Sequence, residues 1–370
     1  MQHLNYLGIL FIVFSFYACE NEDLSRNSSS KKLFTKLESS YTGLHFENAL
    51  SLEEQADYIN YEYNITGAGV AVGDINGDGL EDLFICGNKV SDKLYLNKGN
   101  FQFEDVTIKS GIDISPNQWS TGVTIADINM DGFLDIYVCR SGNLPAVQRA
   151  NALYINNGDG TFLEQAQKLG LDDKGHSTQA AFLDYDLDGD LDVYVINHQD
   201  DFDAVQPFEE TNQRGLYSDR LYQNQNGIFK DVSIEAGIEN DRYGFGLGIA
   251  VADYNKDGYP DIYISNDFFE HEYFYVNQGD GTFKQLVHES MKHTSFSSMG
   301  CDMADYDNDG WVDIMSVDMV AEDNLRQKNQ MAGMNPDIFW EAVDSGLHYQ
   351  YMFNALQRNN GDGSFSDLAD

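Results

Sequence analysis

Basic residues, cysteine and proline are scarce in this chain, and it has no long apolar run. Its 370 residues include 22 Lys and Arg but 61 Asp and Glu, for a net charge of −39, and only 4 Cys and 5 Pro. A surface this acidic repels nucleic acid and anionic lipid, so we expect no nucleic-acid partner. The apolar run at residues 7–17 is too short to span a bilayer.

Short catalytic motifs are also missing. The sequence has no G-x-S-x-G, no H-E-x-x-H, no phosphate-binding G-x-x-x-x-G-K and no dinucleotide-binding glycine fingerprint. Three of the four cysteines, Cys86, Cys139 and Cys301, lie in or beside apolar strand-like runs. We expect small buried side chains there, with a disulfide between two of them as the alternative. The sequence therefore gives no direct support to these common enzyme classes.

What the sequence has instead is a nine-residue aspartate pattern that occurs five times. Aspartate or asparagine occupies positions 1, 3, 5 and 9. Glycine occupies position 6, where positive φ lets the backbone curl around a centre. We predict that the side chains at positions 1, 3, 5 and 9 bind a metal ion. They are Asp74, Asn76, Asp78, Asp82, Asp127, Asn129, Asp131, Asp135, Asp184, Asp186, Asp188, Asp192, Asp253, Asn255, Asp257, Asp261, Asp305, Asp307, Asp309 and Asp313.

These ligands are hard oxygens, with no histidine or cysteine among them. Hard oxygens favour calcium over zinc or copper, and a flexible loop with many ligands favours calcium over magnesium. The sequence therefore predicts about five structural Ca2+ ions, one for each aspartate loop. The alternative is a set of acidic turns without an ion, in which the clustered carboxylates would repel one another.

Apolar, β-branched runs enter and leave each aspartate loop, and a hairpin such as LYINNGDGTF follows. Asn-Gly and Asp-Gly between apolar runs are strong hairpin signals. We place four strands in each unit: an F-x-D-V strand, a G-x-x-x-A-D strand, a strand after the aspartate loop, and an L-Y-x-N strand. Successive aspartate loops are 52 to 69 residues apart. Four-stranded units at this period, without helices between them, predict an all-β fold, a β-propeller.

The aspartate loop and hairpin together resemble the FG-GAP/VCBS repeat family, which includes the propellers of integrin α-subunits. The chain is similar in particular to bacterial relatives of cartilage acidic protein. The resemblance covers residues 33–370 and implies a propeller of four-stranded blades with calcium loops. Residues 34–37 would form the first strand, five whole units would follow, and residues 365–368 would begin a sixth. Because members of this family usually continue through more blades, we expect a propeller that is incomplete at its C-terminus.

Residues 1–19 have the pattern of a lipoprotein signal peptide. The apolar core at residues 7–17 ends at Ala18-Cys19, which resembles a bacterial lipobox and implies lipidation of Cys19, although residues 1–6 lack Lys and Arg. Acidic residues after Cys19 resemble the surface-export signal of Bacteroidetes lipoproteins, and residues 20–32 are predicted to be a flexible tether. We predict an exported outer-membrane lipoprotein on the cell surface of a diderm bacterium, bound to the membrane only through its lipid. An ordinary cleaved secretion signal is the alternative.

Alternating strands place the aspartate loops and the hairpins on one face of the propeller and the longer connections on the opposite face. Function on a rigid scaffold tends to lie in such variable connections, so we predict that this opposite face binds ligand. Residues 335–346 are predicted to contain a helix. The alternatives are a solvated acidic loop at residues 198–210 and packing of the helix aromatics onto the propeller. The candidate ligand-face residues are His198, Asp200, Asp201, Asp203, His271, Phe339 and Trp340.

These patterns predict a calcium-stabilised, surface-anchored binding or adhesion propeller that recognises an extracellular protein or polysaccharide. One alternative is a propeller hydrolase or lyase that acts on extracellular glycans, with acid/base groups in residues 197–220. A purely structural protein is the other.

Overall fold

The computed structural model describes residues 33–50, 63, 67–116, 118–198, 215–238, 244–268, 270–321, 323–330, 336–344 and 346–368. The chain forms two units, residues 1–38 and residues 39–370. In the first unit, residues 33–38 carry no strand, so the strand predicted at residues 34–37 is wrong. Cys19 and the rest of the predicted signal and tether lie outside the described residues.

The described residues of the second unit form five antiparallel sheets, each of four strands that follow the chain in order. We call these sheets blades 1 to 5. Blade 1 is β1 (Val70–Gly73), β2 (Asp82–Ile85), β3 (Lys93–Asn97) and β4 (Phe103–Asp105). Blade 2 is β5 (Ser120–Ala126), β6 (Asp135–Arg140), β7 (Ala152–Asn156) and β8 (Phe162–Glu164). Blade 3 is β9 (Ser177–Leu183), β10 (Asp192–Asn197), β11 (Arg220–Asn224) and β12 (Phe229–Asp231).

The last two blades repeat the same order. Blade 4 is β13 (Gly246–Ala252), β14 (Asp261–Asn266), β15 (Tyr273–Asn277) and β16 (Phe283–Gln285). A short parallel pair, β17 (Thr294–Ser295) and β20 (Gln350–Tyr351), accompanies blade 5. Blade 5 itself is β18 (Ser298–Ala304), β19 (Asp313–Asp318), β21 (Ala355–Asn359) and β22 (Phe365–Asp367).

The F-x-D-V strand belongs to a different blade from the one we predicted. The hairpin turn joins the third and fourth strands of one sheet, so that Asn156 of β7 pairs with Phe162 of β8. This strand is therefore the outermost strand of the preceding blade and not the first strand of the next unit. For the same reason β22 pairs with β21 and completes blade 5. The tight turn decides the pairing, because it holds its two flanking strands side by side.

The apolar core lies between neighbouring blades. Strands β6, β10 and β14 are buried along their whole length, because other blades cover both of their faces. Phe84 of blade 1 packs in one cluster with Ile136 of blade 2, and Tyr194 of blade 3 packs in another with Ile262 of blade 4. The innermost strands β1, β5, β9, β13 and β18 contact one another in succession. Sheets arranged in this way around an axis form a β-propeller, which confirms the predicted fold class.

Innermost strands of neighbouring blades approach closely where the G-x-x-x-A-D motif has its glycine. A Cβ on Gly122 would lie 2.4 Å from the carbonyl oxygen of Thr178, so no larger residue fits there. Beside it, the Thr121 hydroxyl donates to the carbonyl oxygen of Ser177 at 2.6 Å. This glycine therefore permits the close contact between blades 2 and 3 at one end of the axis.

The helices of the described residues are short. Helix α7 (Pro336–Asp344) confirms the helix predicted at residues 335–346, and Gly346 follows it with φ of 95°. No helix in the described part of the chain is long and apolar enough to cross a membrane. Cys86, Cys139 and Cys301 are free thiols, the first two buried and the third half-buried. The helices are α1 (Ser39–Thr42), α2 (Thr107–Ser110), α3 (Ala146–Arg149), α4 (Ala166–Leu169), α5 (Val287–Ser290), α6 (Asn324–Gln330) and α7 (Pro336–Asp344).

Candidate functional site

The propeller presents two candidate sites on opposite faces. We call loop face the side that carries the aspartate loops, between the first and second strands of each blade, and the hairpins between the third and fourth strands. We call insert face the side that carries the connections between the second and third strands. A hydrogen bond of 2.8 Å from the backbone N–H of Asn156 to Asp135 joins a hairpin to an aspartate loop. This contact agrees with the prediction that loops and hairpins share a face.

Each aspartate loop is closed by its own backbone N–H groups. In the first loop, the N–H of Asp78 donates to Asp74 and Asn76 at 3.0 and 2.9 Å, and the N–H of Gly79 donates to Asp74 at 2.8 Å. Position 6 has positive φ in all five loops, from 84° at Gly79 to 96° at Gly189, as predicted. Position 4 is also left-handed, even where it is Met130 at 56°, and the sequence analysis missed this.

The aspartate at position 9 is the most buried of the predicted ligands. Asp135 is 1% exposed, and its two carboxylate oxygens accept backbone N–H groups from Ile128 at 3.2 Å and Asn156 at 2.8 Å. Burial raises the pKa of Asp135 to about 6, and the neighbouring carboxylates of Asp131 and Asp127 add to the shift. A positive charge in the loop would therefore stabilise the ionised form of this side chain.

The oxygen atoms of the loops suit a hard divalent cation. Asp184, Asp186 and Asp188 of the third loop can each place a carboxylate oxygen within 4.8 Å of the others. Asp305, Asp307 and Asp313 of the fifth loop can do the same. One of these oxygens, Oδ1 of Asp184, is buried without a hydrogen-bond donor. Convergent oxygens without enough donors fit a calcium-type ion, which the side chains at positions 1, 3, 5 and 9 would hold.

An asparagine at the start of the hairpin connects neighbouring loops in blades 2, 4 and 5, a role that we did not predict. The Nδ2 group of Asn156 donates at 2.9 Å to the carbonyl oxygen of Ile75, at position 2 of the aspartate loop in the preceding blade. Asn277 and Asn359 make the same bond to Tyr185 and Tyr254. The signal was present, since this strand ends in asparagine in all five units, as L-Y-x-N in three of them, F-Y-V-N in the fourth and L-Q-R-N in the fifth.

A cavity of about 240 Å³ opens on the insert face at the ends of the innermost strands. We call it the axial pocket. Among the described residues that line it, none carries a carboxylate, ammonium or guanidinium group. The side chains that give it its chemical character are those of Tyr63, Trp119, Thr121, Thr178, Gln179 and His198.

A cluster of buried polar side chains contacts His198 of the axial pocket. The Ser141 hydroxyl lies 2.9 Å from Nε2 of His198 and 3.5 Å from Nδ1 of His176, and all three residues are at most 2% exposed. The Tyr63 ring lies edge-on to the His198 ring at 4.5 Å. Because Ser141 is fully buried, it positions His198 and does not present a nucleophile to the pocket.

The structure separates the predicted ligand-face residues. His198 lines the axial pocket, whereas Asp200, Asp201 and Asp203 lie outside the described residues. Phe339 of α7 is half-buried and stacks on Tyr351 at 5.6 Å, as the packing alternative predicts. Trp340 is 55% exposed and remains a candidate contact residue.

His271 lies in a second cluster of histidines on the insert face. Its ring is 4.9 Å from that of His288, and the His288 ring is 4.6 Å from that of His348. Burial lowers the pKa of His271 to about 3 and that of His348 to about 4, and the charge of His288 contributes to both shifts. Both rings are therefore neutral at physiological pH.

These two histidines should make the protein sensitive to acid. The unfolded chain takes up their protons below pH ~6.5, while the folded chain does not do so until pH ~4, so stability falls as the pH decreases. Between pH 7 and 5.5 the loss should be about 2.5 kcal/mol, because each histidine contributes about 1.4 kcal/mol per pH unit only below its unfolded pKa of about 6.5. Urea unfolding in saturating calcium should show this loss, reduced in a His271→Gln/His348→Gln variant. Equal pH dependence in both proteins would contradict the assignment.

Comparison with known proteins agrees with the repeats. A model described as FG-GAP-like repeat matches residues 74–138, 144–195 and 265–316, and a model described as FG-GAP repeat matches residues 245–282. Each match to the FG-GAP-like repeat contains at least one whole aspartate loop. Fold and repeats together define a β-propeller whose blades carry aspartate loops, and the chain belongs to the FG-GAP repeat family.

Among curated proteins, the chain is similar to cartilage acidic protein 1. It is 29% identical to the Xenopus tropicalis protein over 204 residues, which is 54% of this chain and 29% of the relative. It is 27% identical to the Mus musculus protein over 218 residues, 59% of this chain and 31% of the relative. The match thus spans less than a third of these relatives.

Two solved structures also resemble the chain, each with a TM-score of 0.40. The V. cholerae biofilm matrix protein Bap1 is 13% identical, with 82% of this chain and 39% of that chain covered. A GH43 β-1,3-galactosidase with galactodeoxynojirimycin is 9% identical, with 82% and 94% covered.

Proposed function

We propose that the protein is a calcium-stabilised extracellular binding propeller, and that its insert face recognises a polysaccharide or a protein. The observation that carries this proposal is the axial pocket, which lies on the face opposite the aspartate loops. The loops would hold calcium and stabilise the blades, and the pocket would contact the partner. Extracellular calcium modules bind with dissociation constants of about 10⁻⁴ to 10⁻³ M, which suits loops of this exposure.

The lining of the axial pocket favours a neutral sugar residue over a charged ligand. Trp119 and Tyr63 provide apolar surface, and Thr121, Thr178 and Gln179 provide hydroxyl and amide groups. Aromatic surface with a few convergent polar groups is typical of a small-molecule site and can hold both faces of a sugar ring. We infer that a neutral sugar within an extracellular polysaccharide is the best fit.

The geometry supports binding better than glycan hydrolysis. Glycosidases generally need two carboxyl groups, about 5 to 10 Å apart, on either side of the scissile bond. The described residues that line the axial pocket include no carboxylate. The acid/base groups of the hydrolase alternative were placed in residues 197–220, of which residues 197–198 and 215–220 are described.

Export and lipid anchoring remain part of the proposal. They are supported by the apolar core and the Ala18-Cys19 pair at the start of the sequence. A protein anchored through Cys19 to the outer surface of a diderm cell would meet polysaccharide and protein partners there, together with the calcium that the loops need.

A glycan array tests the proposed face. We expect binding to neutral glycans and expect Gln179→Ala to weaken it at least tenfold without changing the melting temperature, since Gln179 is half-buried in the pocket wall. Gln278→Ala is the matched control, because Gln278 is exposed in a hairpin on the loop face. If Gln278→Ala lost binding and Gln179→Ala did not, the binding site would lie on the loop face, which would contradict the proposal. Release of shortened glycans on the same panel would favour the hydrolase.

A further inference from the structure

In two blades, the residue that precedes the hairpin asparagine contacts the aspartate loop of its own blade. In blade 5 this residue is Arg358, whose Nε lies 3.0 Å from Asp307 and whose Nη2 lies 3.2 Å from Asp309. In blade 3 it is Gln223, whose amide donates to Asp186 at 2.7 Å. The side chain at this place in a blade can therefore reach the predicted cation ligands.

The identity of this residue follows position 3 of the loop within the chain. Loops 3 and 5 have an aspartate at position 3, and their blades have Gln223 and Arg358 before the asparagine. The other loops have an asparagine at position 3, and their blades have the apolar residues Leu96, Ile155 and Val276 there. The extra carboxylate at position 3 is thus matched by a hydrogen-bond donor, which is charged only in blade 5.

The five loops consequently differ in net charge. Loops 1, 2 and 4 each have three carboxylates at the ligand positions. Loop 5 has four, but the guanidinium of Arg358 cancels one of them, and Lys256 of the neighbouring loop lies 3.8 Å above the ring of Trp311. Loop 3 has four carboxylates and a fifth at Asp190, and Gln223 adds no charge. Loop 3 is the most negative of the set.

We propose that Arg358 lowers the cation affinity of the fifth loop, so that the third loop binds before the fifth as calcium rises. The proposal rests on the calcium binding proposed above. A positive side chain in contact with two ligand carboxylates competes with the ion for the same oxygens and repels it. The fifth loop would therefore respond to calcium in a concentration range in which the third is already full.

Terbium luminescence excited through tryptophan can distinguish the fifth loop from the third. Trp311 occupies position 7 of this loop, whereas the other two tryptophans, Trp119 and Trp340, belong to the insert face. Selective excitation of tryptophan in the metal-free protein should therefore sensitise Tb3+ bound beside Trp311, and calcium should displace it. We expect Arg358→Gln, which installs the residue of blade 3, to tighten both ions at this loop about tenfold. The increase in affinity should be smaller at high salt, because salt screens interactions between charges but does not change packing.

The reciprocal variant, Gln223→Arg, tests the same proposal if Arg358→Gln folds poorly. Gln223→Arg should remove the tightest calcium-binding step seen by calorimetry and leave the terbium signal at Trp311 unchanged. Equal terbium and calcium affinities in the parent and Arg358→Gln would overturn the role of Arg358 while leaving calcium binding intact. Absence of any terbium or calcium binding in both proteins would instead refute the proposed function of the loops.

Discussion

Chelation of calcium is expected to lower the melting temperature of the protein by about 20 °C or more. An ion that binds only the native state, at a free concentration 100 times its dissociation constant, stabilises that state by about 2.7 kcal/mol. Five such loops would together contribute roughly 13 kcal/mol. The melting temperature of a chain of this size falls by about 2 °C for each kcal/mol of stability that is lost. Removal of all the ions should therefore lower it by about 20 °C or more.

Differential scanning calorimetry in excess chelator, with metal content checked by elemental analysis, measures this effect. Calcium added back in excess should restore the melting temperature, and magnesium should restore it less well, because magnesium demands a stricter octahedral shell. A metal-free protein with an unchanged melting temperature would show that the loops are acidic turns that need no ion.

Replacement of a position-9 aspartate should destabilise the protein even without calcium. Asp135 is buried and accepts backbone N–H groups from two different parts of blade 2. Asp135→Ala would leave both N–H groups unpaired, at a cost of about 1–3 kcal/mol each, in addition to the loss of a cation ligand. We expect a loss of roughly 2 to 6 kcal/mol in chelator and more in calcium.

Asp131→Ala is the matched control, because it removes a carboxylate at position 5 of the same loop. Asp131 is exposed, so its replacement should matter in calcium but change stability by only about 0.5 kcal/mol in chelator. Urea unfolding of both variants, with and without calcium, gives the four values needed. If Asp135→Ala were as mild as Asp131→Ala in chelator, the structural role of position 9 would be wrong.

The aspartate loops and the hairpins could be predicted because each is encoded locally. Nine consecutive residues contain the ligand positions of a loop as well as the glycine that lets it turn, and the backbone N–H groups that close the loop lie within the same segment. The position of the F-x-D-V strand was wrong because periodicity gives the length of a repeat but not the residue at which a blade begins. The short Asn-Gly-Asp-Gly turn between Asn156 and Phe162 already indicated that the strands on either side of it pair with each other.

The axial pocket could not be predicted, because its walls come from residues that are distant in sequence. Gly69, Thr121, Thr178, Leu247 and Met299 meet only when five innermost strands surround one axis. The histidine cluster has the same origin, since His271, His288 and His348 belong to three separate segments. His198 was singled out for its place in a long connection, and the structure adds the buried Ser141 contact that no sequence pattern signals.

Calcium titration of the metal-free protein by isothermal titration calorimetry is the decisive experiment, because it counts the ions that the folded chain binds. We expect saturable binding of about five calcium ions per chain, with the sites lost one by one when position-1 aspartates such as Asp74 and Asp184 are changed to alanine. A folded, metal-free protein that shows no saturable calcium binding would contradict this expectation.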